Sequence, residues 1–407
     1  MYLRFAWRYF KAKKSANAIN IIAWVTCGVI AFATMCQVLV LSVFNGFEDL
    51  VKSLYGSFYT DVKIIPSQGK TFQLTAEQLK RVKTVPGVKG VSMIAEEKGL
   101  LQNEDKQTLV VLRGVDDHYA SVSGVAQATN CGSFEIGTVD NPGLVLGVGV
   151  QEASEISINK ALPSSQLTVI LPKKTVKNIA DPMESMSEGN ATATGAFTIQ
   201  QEFDSKYAIT NIDFVKRQMG FGADEYSSAE ISITDKIKPQ EVVAALKKIL
   251  PGNYTIQTRY EQNTSLYNTM KMEKWAIFAV LTLIFIIASF NMVSALTMLV
   301  LEKQKDISVL QSMGANRKML QKIFLTEGLL LGGIGLGIGV FLAFIICMLQ
   351  IKFKLIKLQG GTFLIDYFPV KMIATDFLLV AASAFIIALI ASWFPSRKAA
   401  RQAFELR

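Results

Sequence analysis

The chain has 407 residues, 50% of them hydrophobic, with 42 Lys and Arg against 33 Asp and Glu and a net charge of +9. Its apolar residues gather in four runs, at 19–44, 275–301, 323–350 and 373–394, each long enough to cross a bilayer core as a helix of ~20 residues. A soluble enzyme is excluded, and the placement of the basic residues also excludes a nucleic-acid binder.

That placement is a topology signal. Residues 1–20 carry Arg4, Arg8, Lys11, Lys13 and Lys14 and no acid. The connection after the second run carries Lys303, Lys305, Arg317, Lys318 and Lys322 against Glu302 and Asp306, and the tail carries Arg397, Lys398, Arg401 and Arg407 against Glu405. The remainder is slightly acidic. Positive charge marks the cytoplasmic side, so both termini are expected inside and residues 47–271 outside, in a multi-pass membrane protein. The third-to-fourth connection breaks the pattern, being external yet holding Lys352, Lys354, Lys357 and Lys371.

The first run reads as an uncleaved anchor. It is longer than a signal-peptide core and no small-x-small site ends it. Met35 stands before Cys36 where a lipoprotein signal needs a small residue.

Residues 47–271 read as a mixed α+β domain. A strand is predicted at 61–66, a helix at 75–85 stopped by Pro86-Gly87, and strands at 88–94 and 108–113. The pattern returns as strand 229–234, helix 239–250, stop Pro251-Gly252 and strand 254–258. Two strand–helix–strand units imply one split sandwich sheet, interrupted by a β-rich insertion over about 115–225 with strands at 143–147, 167–171 and 196–203. Between the last two, residues 172–195 lack regular periodicity, and structureless loops of that length are usually functional or disordered. This loop carries Ile179, Met183 and Met186, and methionine suits adaptable binding surfaces.

Chemistry-bearing groups are sparse. Cys131 is the one cysteine outside the spans, His118 is the only histidine and reads as a surface turn residue, and neither a metal-ligand spacing nor a G-x-x-x-x-G-K-[ST] phosphate loop occurs. The chain is therefore expected to hold no cofactor or metal and to hydrolyse no ATP itself. Within the spans, Gln37 and Asn291 are predicted to hydrogen-bond between helices, and the small-residue pairs Gly333/Gly337 and Gly335/Gly339 to let helices approach closely.

After the second span, residues 302–313 read as a short amphipathic helix, with Gly314 as its left-handed stop and Asn316 as the cap of the next helix. Its mixed charge fits docking to a partner better than lying on lipid.

With L-S-V-F-N-G-F-E at 41–48, E-K-Q-K-D-I-S-V-L-Q-S-M-G-A at 302–315 and F-P-S-R-K-A-A-R at 394–401, the chain resembles the lipoprotein-releasing (Lol-type) permeases, within the four-helix ABC permeases that include macrolide exporters. The resemblance implies three parts: an N-terminus and first helix over 1–46, a periplasmic domain over 47–271, and three further helices over 272–407. It makes 302–315 the coupling helix, with Glu302, Lys303, Lys305, Asp306, Ile307, Leu310, Met313, Gly314 and Ala315 docking an ABC ATPase that carries the ATP and Mg. It makes 172–195 a hook, with Ile179, Pro182, Met183 and Met186 gripping a periplasmic lipoprotein carrier. A second permease subunit is implied, identical or not, with Phe44, Asn45, Phe278 and Leu281 lining a vestibule for lipoprotein and membrane lipid. The function implied is extraction of lipoproteins from the inner membrane. The alternatives are a macrolide or peptide efflux permease and a signalling permease that activates a periplasmic hydrolase.

Overall fold

The computed structural model describes residues 17–158, 166–174, 185–234, 236–250, 252, 254–358 and 367–401. They divide into two compact units, Val51–Tyr267 and a membrane unit formed by the residues on either side.

The membrane unit is built on four helices long and apolar enough to cross a bilayer: Asn17–Phe58, Thr264–Glu302, Arg317–Phe353 and Ala374–Arg401. All four outrun their apolar runs at one end or both. The first continues fourteen residues beyond position 44, because 45–58 keeps helix-compatible residues and no proline. Ala23, Cys27 and Ile30 of the first helix pack with Phe285, Met292 and Leu296 of the second, Leu331 of the third, and Ala384, Ala388 and Ala391 of the fourth.

Small residues make that packing possible. A Cβ on Gly335 would lie 2.9 Å from the Cys27 carbonyl oxygen, and one on Gly339 would meet the Ala31 carbonyl. Gly332 does the same work against Ala388, at 2.8 Å, and Gly328 against Ser392. The expected pair Gly333/Gly337 makes no such approach, with nothing within 4 Å of either position. The glycines that carry packing are thus 335/339 toward the first helix and 328/332 toward the fourth. Gln37 donates to Thr282 Oγ1 at 3.1 Å, joining the first two helices, whereas Asn291 lies exposed on the outside of this single subunit.

The second unit holds a ten-stranded sheet: β1 (Val62–Pro66), β2 (Val88–Asn103), β3 (Lys106–Val115), β4 (Thr129–Gly132), β5 (Gly143–Gly147), β6 (Gln166–Pro172), β7 (Met186–Phe197), β8 (Tyr207–Asn211), β9 (Ser228–Ile233) and β10 (Tyr254–Thr258). The two strand–helix–strand units interleave, in spatial order β10-β1-β9-β2, with each neighbouring pair antiparallel. This is a split β-α-β arrangement. Its helices Ala76–Lys83 and Pro239–Ile249 place Val82, Val242, Val243 and Leu246 in the core. The first is opened by a capping box in which Thr75 and Gln78 satisfy each other's backbone N–H groups.

The insertion does more than extend that sheet. From β2 the pairing runs through β3, β8, β5, β7 and β6, and β6 returns to β2 through Leu100↔Ile170 and Leu101↔Val169. Six strands therefore close on themselves, and closure removes the exposed edges an open sheet would present. Leu101, Leu112, Leu144, Leu146, Leu167 and Val169 are buried in the core shared with the split sheet.

Two expectations are corrected here. Residues 196–203 are not one strand: β7 ends at Phe197, and Gln201–Asp204 is a short helix. Nor is 172–195 a structureless loop. Its second half belongs to β7, which pairs with β6 up to Pro172↔Met186. The Gly, Ser, Thr and Ala content of 187–195 lacks the bulky alternation that marks a strand, yet it suits a ladder whose neighbours lie on both sides.

Candidate functional site: the second-to-third helix connection and a polar knot

The second helix ends at Glu302, Lys303 makes one turn-like step (φ −85°, ψ 14°), and a separate helix runs Gln304–Ser312. Gly314, at φ +92°, ends it. The Gly314 N–H donates to the Gln311 carbonyl and the Ala315 N–H to the Leu310 carbonyl, each at 2.9 Å, the paired bonds of a Schellman stop. Asn316 Oδ1 then accepts the Met319 N–H at 2.9 Å and starts the third helix. The segment is thereby held in a defined shape at both ends.

Its residues divide into two sets. Ile307 is buried against Leu299, Val300, Leu320, Phe324 and Ala399, with Leu310 packed at the edge of that cluster. Val309 and Met313 point away, 57% and 80% exposed, as do Lys305, Asp306 and Gly314. Glu302, Lys303 and Ala315 are half-buried, and Lys303 Nζ pairs with Asp306 Oδ2 at 3.3 Å. Ile307 therefore seats the helix on the bundle, and Val309 and Met313 form its free apolar face.

Asn45, predicted as a vestibule residue, is 2% exposed. Its Nδ2 donates to Asp376 Oδ2 at 2.6 Å. The Lys274 ammonium donates to Asn45 Oδ1 at 2.9 Å and to both Asp376 oxygens, at 3.1 and 2.9 Å. One residue from each of the first, second and fourth helices is tied into this knot. Charge-assisted hydrogen bonds of this kind are the stronger ones. Beside it the Lys371 N–H donates to the Ser42 carbonyl at 3.0 Å, the Lys371 ammonium pairs with Asp49, and Phe47 and Phe368 meet edge to face at 5.8 Å. Nearby in the third-to-fourth connection, Lys354 lies over the Tyr367 ring at 4.0 Å. Two of the lysines that break the charge rule thus have partners within the fold.

Of the other vestibule residues, Phe278 packs partly buried against the cluster of Val38, Leu41, Ala343 and Val380, while Phe44 and Leu281 are half-buried. Alongside them the second helix leaves Trp275, Val280, Leu283, Ile284, Ile287 and Phe290 exposed. Sequence reasoning missed Lys274 and Asp376. The available signal was a charge at the border of each apolar run, Lys274 just before the second and Asp376 just inside the fourth.

In the predicted hook, Ile179, Pro182 and Met183 lie outside the described residues. Met186 is described: it pairs with Pro172 at the last rung of the β6–β7 ladder and is 41% exposed. His118 is exposed in the turn before a short helix.

A charged cluster that the sequence reading passed over lies inside the second unit. Arg113, 1% exposed, donates to Glu96 Oε2 at 2.7 Å and to the Tyr119 hydroxyl at 3.2 Å, and reaches Glu230 Oε1 at 3.3 Å. Its guanidinium carbon stands 4.6 Å from the Phe58 ring centre and 5.4 Å from that of Tyr207. Lys63 lies 3.8 Å from Glu230. Burial disfavours charge on Glu96, but Arg113 and Lys63 outweigh it and hold the carboxyl below its ordinary range.

Four membrane-length helices, a short separate helix in one connection and a large α+β domain between the first two spans define a class, that of four-helix permeases with an extramembrane core domain. The MacB-like periplasmic core domain family model matches residues 23–249 and the FtsX-like permease C-terminal model matches 278–404, and the chain belongs to this family of permeases. It is 23% identical over 413 residues to the lipoprotein-releasing system transmembrane protein LolE of Haemophilus influenzae, covering 97% of this chain and 96% of that protein. It is 25% identical over 405 residues to the lipoprotein-releasing system transmembrane protein LolC of Xylella fastidiosa strain Temecula1, covering 97% and 95%. Among solved structures, the periplasmic region of MacB from Actinobacillus actinomycetemcomitans aligns at 14% identity and a TM-score of 0.38, covering 54% of this chain and 98% of that one.

Proposed function

We propose that this chain is a permease subunit of an ABC complex that extracts lipoproteins from the inner membrane and hands them to a periplasmic carrier. The observation that carries this reading is the end-to-end similarity, over 97% of the chain, to proteins of lipoprotein-releasing systems. Both termini face the cytoplasm and residues 51–267 face the periplasm, a reading that the basic flanks support.

Separate ATPase subunits dock on the Gln304–Ser312 helix through Val309, Met313, Lys305 and Asp306. Ile307 and Leu310 pass the push into the bundle, and Glu302, Lys303, Gly314 and Ala315 hold the helix at its ends. A second permease subunit covers the exposed face of the second helix, and Phe44, Phe278 and Leu281 border the lipid-filled space between the two. Asn45 acts there as a tie between helices. Ile179, Pro182 and Met183, in the sequence between β6 and β7, together with Met186 grip the carrier. Withdrawing acyl chains costs about 0.8 kcal/mol per CH₂, so three chains demand both an energy source and a sheltered receiver.

The test is lipoprotein location after depletion, with inner and outer membranes separated. Accumulation in the inner membrane, rescued by wild type, supports the reading. The hook is tested by exchanging only 175–184 for a Gly-Ser linker, because 186–197 is a ladder strand whose loss would open the closed sheet. Normal sorting after full depletion overturns the reading in favour of efflux or signalling.

A further inference from the structure

A groove of about 540 Å³ lies between the second and fourth helices near the end of the chain. One wall is Val293 and Thr297, one turn apart, with the Thr297 hydroxyl donating to the Val293 carbonyl at 2.7 Å. That bond satisfies the hydroxyl within its own helix and leaves the wall apolar. The opposite wall is Trp393 and Phe394, 41% and 62% exposed, whose rings meet edge to face at 5.4 Å. Arg397 and Lys398 close the groove at its polar end.

Three features make this more than a generic helix end. Pro395 also lines the groove, and having no N–H it leaves the Ala391 carbonyl without its helical donor. Ser396 Oγ donates to the Trp393 carbonyl at 2.9 Å, one turn back, and supports the helix just past that break. The Arg397 guanidinium lies 5.2 Å from the Trp393 ring centre, so the aromatic wall orients the cation. Among the described residues no acidic side chain lines the groove, and both basic groups are exposed.

An apolar trough with two cations at one end, set in a membrane helix pair, matches an amphiphile of opposite charge. We propose that the groove binds an anionic phospholipid, with an acyl chain between Val293/Thr297 and Trp393/Phe394 and the phosphate on Arg397 and Lys398. The Arg397 fork is suited to phosphate oxygens, and Lys398 adds a second point charge. Zwitterionic lipid fills the trough equally well but brings a cation to the two basic groups. The site is a lipid position of this subunit and is independent of which cargo the complex moves.

Native mass spectrometry of the full-length protein in detergent measures it, with dioleoylphosphatidylglycerol and dioleoylphosphatidylcholine titrated separately. Basic residues near a lipid surface each favour anionic lipid by about fivefold, so the wild type should prefer phosphatidylglycerol by about 25-fold. R397Q/K398Q should abolish the preference while leaving phosphatidylcholine binding intact, which also reports that the variant is folded. R317Q/K318Q removes the same charge elsewhere and should keep it. Glycerol 1-phosphate should not compete, because it lacks the acyl chain. Equal binding of the two lipids by the wild type, equal loss in both variants, or competition by glycerol 1-phosphate would each overturn the site.

Discussion

Replacing Arg113 by methionine should be among the most damaging single changes in the extramembrane unit. Met keeps the unbranched stem of the arginine out to about the Nε position, so the stem packing is retained while the guanidinium facing Phe58 and Tyr207 is lost. What disappears is the charge between Glu96 and Glu230. Glu230 is 0% exposed, and neither of its oxygens has a hydrogen-bond partner among the described residues, so Arg113 at 3.3 Å and Lys63 at 3.8 Å are its compensation. Removing one partner of a buried ion pair costs about 3–5 kcal/mol, whereas replacing the whole group by apolar residues is often neutral. For a unit of this size the single change corresponds to a fall in Tm of about 6–20 °C. None of the four tryptophans falls between residues 51 and 267, so pulse proteolysis of the full-length protein in detergent is the suitable assay. The triple variant R113M/E96Q/E230M should regain most of the loss, since Lys63 is partly exposed and can turn to water. An R113M protein within about 1 kcal/mol of wild type, or a triple variant no better than the single, would refute the argument from burial.

Four further outcomes follow from the same structure. Met313→Asp should abolish co-purification with the ATPase subunits and leave the thermal stability of the permease unchanged, whereas Ile307→Ala should lower stability by about 2–4 kcal/mol through the cavity it opens; thermal unfolding and pull-down together separate the two. Gly335→Val and Gly339→Val should prevent helix packing and reduce the yield of folded protein, while Gly333→Ala and Gly337→Ala should be tolerated or stabilising by up to about 1 kcal/mol each, read by size-exclusion chromatography in detergent. Lys274→Asp should impair complementation, and the exchange K274D/D376K should restore part of it, if the knot acts as a tie. On acidification the extramembrane unit should lose stability below about pH 4.5: Glu96 and Glu225, both against cations, and Glu261, held by the backbone and side chain of Thr258, have folded values below the ordinary 4.5. Their stabilisation is complete above the unfolded value and lost as pH falls through the folded ones. Asp204, raised by burial, acts in the opposite sense, so E96Q should flatten the acid limb of a pH–stability curve rather than reverse it.

The membrane architecture was legible in the residues themselves, because crossing a bilayer imposes a minimum apolar length and a charge bias that no tertiary contact can replace. The same holds for the Gly314 stop and the Asn316 cap, whose backbone demands are local. The internal repeat was legible too, since each strand–helix–strand unit repeats one local pattern. What sequence alone could not decide was everything that depends on which elements meet. Six glycines in one helix look alike until the partner helices select 335/339 and 328/332 over 333/337. Ile307 and Met313 are equally apolar, and only packing against Leu320 and Ala399 turns one inward and leaves the other free. Residues 187–195 look like loop because their side chains are small; pairing across β6 and β5 makes them a strand of a closed sheet. Lys274 and Asp376 are 102 positions apart, and Arg113 and Glu230 more than a hundred. A charge placed in or near an apolar environment is stable only with its counter-charge, and the identity of that counter-charge is fixed by the fold, not by any neighbour in the chain.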